Sequence, residues 1–101
     1  MPLYMAELMH GPETCVAANP DRERAGLLAD LPEISRANGV NFVGGWAFPV
    51  GHRQWYVFEA EDAHAVSKVL FAAKTHHWNG IDIHPVTDFE SFKSTVLSPA
   101  T

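Results

Sequence analysis

Four polar residues interrupt stretches that are otherwise apolar or aromatic: Glu7 within residues 3–10, Glu59 at the end of residues 54–60, and Asp82 and His84 within residues 81–86. Acidic side chains are among those least often buried, so an acid on an apolar strand face needs a reason. A carboxylate in a small cavity can act as a general base, and an imidazole beside it can relay the proton. On that reading Glu7, Glu59 and His84 are the catalytic candidates. Asp82, with Trp46, Phe48 and Trp55, would line the pocket for a small apolar or aromatic molecule. The competing reading is structural, with Glu7 and Glu59 paired to Arg53 or to lysines across an interface between chains.

The chain has six histidines and one cysteine. Neutral imidazole is a common ligand for transition metals, and His10, His52 and His84 are the candidates for a shared ion because a fold can bring together what the sequence separates. His76 and His77 are adjacent, so on a helix their side chains diverge by about 100° and do not suit one ion. No HExxH, CxxC or His-x-His spacing supports a metal, and no cofactor is expected; a transition metal held by histidines is the alternative. Cys15 could act as a nucleophile only with a base such as His10 beside it.

These residues must be positioned by a small set of elements. The clearest is a hairpin: apolar, aromatic-rich runs at 40–48 and 54–60 flank Pro49, Val50, Gly51 and His52. On 40–48 the alternation sets Phe42, Gly44, Trp46 and Phe48 on one face, and the Gly44-Gly45 pair predicts a bulge, a bend or a close backbone approach. A first strand spans 3–10 and is stopped by Gly11-Pro12. Asn19-Pro20-Asp21 predicts a helix start, with Asn19 as cap. Pro32 predicts a kink near Asp30, and Asn38-Gly39 a stop. A second helix opens at Glu61-Asp62 with Val66, Val69, Leu70 and Ala73 on one face. A last strand at 81–86 carries Pro85 and is therefore expected to lie at a sheet edge or to bulge there. A short terminal helix at 88–96 is expected to face Phe89, Phe92 and Val96 inward.

Size and charge bound the rest. The 101 residues suit one domain, 1–101, and the 47% hydrophobic content suits a packed core. A net charge of -5 without a Lys/Arg cluster argues against nucleic acid as partner. The lone cysteine, the absence of a leader pattern and the short apolar runs predict a soluble, cytoplasmic protein that does not engage membrane.

The β-α-β-β-α-β order places both helices on one face of an antiparallel sheet, which leaves aromatic residues on the other face for a second copy to cover. Tyr4-Met5 with Glu7, Gly44 with Trp46, Val57 to Ala63, and Asp82-Ile83-His84-Pro85-Val86 make the chain resemble the dimeric α/β-barrel superfamily, in particular its small bacterial domains of unknown function. That resemblance implies a ferredoxin-like α+β fold, a homodimer and a small-molecule ligand in the barrel. Its relatives include muconolactone isomerases and cofactor-free monooxygenases. The activity it implies is cofactor-independent oxygenase or isomerase chemistry, with a non-catalytic binding or sensing module as the alternative.

Overall fold

The computed structural model describes residues 1–98, and these adopt the ferredoxin-like α+β fold. In chain order the elements are β1 (Leu3–Met9), α1 (Arg22–Ala29), α2 (Leu31–Ala37), β2 (Asn41–Phe48), β3 (Arg53–Glu59), α3 (Ala63–Ala72), β4 (Gly80–Val86) and α4 (Phe89–Phe92). The sheet order is β2-β3-β1-β4, and every neighbouring pair is antiparallel. Pro85 thus lies on an edge strand, where its missing N–H interrupts no second ladder.

Period-two alternation sorts each strand between two environments. Ala6 and Leu8 of β1 and Phe58 of β3 are buried under the helices. They meet Val66, Val69 and Leu70 of α3 and Leu31 of α2 in one core. Burying a side chain such as Phe58 contributes roughly 1.5–3 kcal/mol. The odd-numbered residues of β1 and β3, including Glu7 and Trp55, face the other way, where no helix covers them.

Three helix starts are fixed by aspartates, Asp88 opening α4 through the Ser91 N–H at 2.8 Å. The Asp62 carboxylate accepts from the backbone N–H of Ala65 at 2.9 Å and opens α3. Asp21 accepts from the N–H of Arg24 at 3.0 Å and opens α1, so the expected cap at Asn19 is displaced by two residues. Asn19 instead donates to the Pro12 carbonyl at 2.7 Å, tying down the loop. The break at Asp30 occurs as Pro32 predicts: α1 ends and α2 begins with the proline in its first turn.

Two further sequence expectations need correction. The β2–β3 register shifts between Phe42 and Gly44, which makes Val43 the extra residue of a bulge. Phe42 therefore pairs with Phe58 and packs on the core, apart from Trp46 and Phe48 on the uncovered face. At the C-terminus, Phe89 is 66% and Val96 65% exposed, so α4 and the following turns (Lys93–Leu97) do not fold inward. The molecule is 56 Å long and has a radius of gyration of 15.2 Å, against about 13 Å expected for a compact chain of this length. The sequence pattern of 88–96 was amphipathic, but the domain's own core is already closed by α3 and α2.

Candidate functional site

The uncovered face of the sheet carries the charged and aromatic residues singled out by sequence. Glu7 lies mid-strand on β1, with Trp55 as its Cα partner on β3 and Asp82 as its partner on β4. Its Oε2 accepts from the Trp55 indole N–H at 3.1 Å and from Arg53 Nη1 at 3.3 Å. Its Oε1 points toward His84 Nε2, 4.0 Å away. One carboxylate oxygen is thus held by two donors from β3, and the other faces an imidazole on β4. Alternation explains the grouping: Arg53 and Trp55 are two apart on β3, as are Asp82 and His84 on β4, so each pair shares a face with Glu7.

Beside this polar centre Met5, Trp46 and Trp55 line a shallow apolar hollow. Trp46 is the Cα partner of Trp55, and Phe48 that of Arg53. Trp46 is 60% and Phe48 54% exposed in the single chain, an unusual cost in exposed aromatic area. A second hollow, between α3 and β4, is lined by Leu70, Phe71, His76, Ile81 and Ile83 and contains no carboxylate.

Glu59 does not join the cluster. It pairs with Leu3 and with Asn41, whose side-chain amide donates to its Oε1 at 2.5 Å. It lies four positions beyond Trp55 along β3, roughly 13 Å of extended chain.

The three histidines proposed to share an ion are also divided. His84 stands beside Glu7 and Asp82, and those three residues offer donor atoms within 4.8 Å of one another. His10 and His52 meet elsewhere, past the end of β1, where the His10 N–H donates to the His52 carbonyl at 3.2 Å. The residue that accompanies them is Cys15, and the donor atoms of His10, Cys15 and His52 again lie within 4.8 Å of one another.

Residues 14–98 match the family described as a domain of unknown function, DUF3303. The chain belongs to the DUF3303 family. This DUF3303 chain is similar in fold to a putative transposase from Deinococcus radiodurans R1, with a TM-score of 0.56 and 16% identity over 91% of this chain and 84% of that one. It is likewise similar to SCO4226 from Streptomyces coelicolor A3(2), with a TM-score of 0.54 and 21% identity over 84% of this chain and 96% of that one. At such identities the likeness shows the fold alone. No curated protein sequence is significantly similar to the chain. Among the described residues no helix is long and apolar enough to cross a membrane.

The DUF3303 match takes in Cys15, His52, Arg53, Trp55, Asn79, Asp82 and His84, while Glu7 and His10 precede it on β1 and just beyond. Sequence reasoning overlooked Met5 as a wall of the hollow, although its place two residues before Glu7 puts it on the same face. It also passed over Asn79, whose Oδ1 accepts from His10 Nδ1 at 2.7 Å. No local signal marks a contact between residues 69 apart.

Proposed function

We propose that the open sheet face closes on a second copy of the chain, and that the enclosed space holds a small apolar or aromatic molecule on which Glu7 acts as proton carrier. The observation that carries this reading is the state of the Glu7 carboxylate: Oε2 is tethered by Arg53 and Trp55 while Oε1 looks toward His84 beside the Met5-Trp46-Trp55 hollow. A tethered carboxylate with one free oxygen is oriented for removing a proton from a bound carbon acid. His84, 53% exposed, is placed to pass that proton on toward solvent. The chemistry is then of the cofactor-independent oxygenase or isomerase kind.

A second copy is favoured as the cover for two reasons. The exposed aromatics Trp46 and Phe48 need an apolar partner, and a two-fold pairing of identical faces supplies one. The projecting segment of α4 and the Lys93–Leu97 turns, with Phe89, Phe92, Val96 and Leu97 exposed, also finds no core of its own to join. Both surfaces would be buried by one symmetric exchange.

Native mass spectrometry of the untagged protein tests the assembly and reveals any retained molecule. The expected result is a dimer with added mass. With the ligand in hand, hydrogen–deuterium exchange at its acidic carbon is followed by NMR. Glu7→Gln should slow the catalysed exchange by about 100-fold or more while leaving the dimer and the bound molecule in place. A bare monomer, or exchange unaffected by Glu7→Gln, would overturn the reading.

A further inference from the structure

We propose that His10, Cys15 and His52 form a binding site for one divalent zinc-type ion, held by His10 Nε2, His52 Nδ1 and Cys15 Sγ, with a fourth position left for an exogenous ligand. Four independent features of the site point there, and none involves the Glu7 face.

The first is convergence. The three residues come from the end of β1, the loop that follows it, and the β2–β3 turn, yet their donor atoms all lie within 4.8 Å of one another. Tetrahedral zinc, with bonds of about 2.0–2.3 Å to nitrogen and sulfur, needs donors about 3.3–3.6 Å apart. A closure of about 1 Å therefore completes the site.

The second is an unmet demand. His10 Nε2 and His52 Nδ1 are both buried, and neither has a hydrogen-bond partner among the described residues. Buried polar nitrogens are normally paired, because leaving one desolvated and unbonded forfeits the hydrogen bond it would make to water. Two such atoms in one site, beside a thiol that is only 4% exposed, have a common explanation in a cation that all three can ligate.

The third is the outer support. Asn79 donates through Nδ2 to the Thr75 carbonyl at 3.0 Å, which leaves its Oδ1 to accept from His10 Nδ1–H at 2.7 Å. That bond puts the His10 proton on Nδ1 and turns the Nε2 lone pair inward, the arrangement by which metal-ligating histidines are oriented. The buried Trp78 ring, 5.1 Å from the His10 ring between centroids, shields the same side from water.

The fourth is backbone geometry. His52 holds a left-handed conformation, φ 55° and ψ 44°, which histidine tolerates better than most residues but not without cost. The turn accepts that cost while directing the imidazole toward His10, with ring centroids 5.5 Å apart. Two imidazoles and a thiolate are a borderline-to-soft set that selects zinc or its neighbours over magnesium or calcium. On binding, the metal–sulfur bond forms as the Cys15 S–H bond breaks, and the proton goes to solvent.

The test uses untagged full-length protein, stripped of metal under reducing conditions and titrated with cobalt(II), whose bonds to thiolate absorb in the near ultraviolet. The expected result is saturation at one ion per chain with a sulfur-to-cobalt charge-transfer band that zinc(II) abolishes by displacement. Cys15→Ala should remove the band, and His52→Ala should weaken binding by at least about 100-fold. Asn79→Ala should keep the band but weaken binding by about 10- to 100-fold. The wild-type spectrum decides even if a variant fails to fold. A wild-type protein that shows no thiolate band would overturn the proposal, as would binding lost with Asp82→Asn but kept in Cys15→Ala.

Discussion

Tyr56 sits on the helix-facing side of β3 opposite Gly45, and burial pushes its phenol up to about 12 from 10.0. The hydroxyl donates to Gln54 Oε1 on the same strand face. In the unfolded chain the phenol ionises near its ordinary value, so between about pH 10 and 12 the unfolded state binds fewer protons and folding stability falls with rising pH. Its contribution is fully present below pH 10. Chemical denaturation of wild type and Tyr56→Phe across this range should show a steeper alkaline loss for wild type. Equal slopes would place the alkaline transition on other groups. At the acid end Asp88 behaves oppositely: the Ser91 backbone N–H, and then its hydroxyl, hold the carboxyl below its usual range, so its capping of α4 fades only as acid protonates it.

The strands show what sequence could and could not disclose. The Gly44-Gly45 pair announced an irregularity, and β2 does carry a bulge; Gly45 is needed because a Cβ there would stand 2.4 Å from Tyr56 Cδ1. Gly45→Ala should therefore force the Tyr56 ring against Phe42 and cost about 1–3 kcal/mol, read as a lowered denaturation midpoint at unchanged slope. The same bulge defeated the face assignment of Phe42, because one inserted residue inverts the alternation upstream and only the pairing partner reveals where the insertion falls. Glu7, Asp82 and His84 were legible as neighbours because strict alternation on regular strands fixes the face. Glu59 was not separable from them, since alternation fixes the face but not the register between strands, which sets Glu59 opposite Leu3 and Trp55 opposite Glu7. Asn79, and the grouping of Cys15 with His52 as well as His10, escaped for a further reason: these residues sit in loops, where the contact is made by the path of the chain and not by a period.

At the scale of the molecule the terminal segment is the anomaly. Residues 89–97 spend four large apolar side chains on solvent, while the open sheet face spends Trp46 and Phe48. If the segment crosses to a second copy, Phe89→Ser combined with Phe92→Ser should shift the dimer toward monomer by at least about tenfold in dissociation constant. Analytical ultracentrifugation over a dilution series reads this directly; an unchanged constant would confine the interface to the sheet. The three tryptophans lie at three depths: Trp46 is open to solvent, Trp55 is tethered to Glu7, and Trp78 is buried against His10. The protein thus carries its own optical reporters for two separate events. Closure over the sheet face should shift the emission of Trp46 and Trp55 to the blue, whereas an ion at His10 that quenches indoles should dim Trp78 alone, so unmodified protein in a cuvette can tell assembly from metal loading.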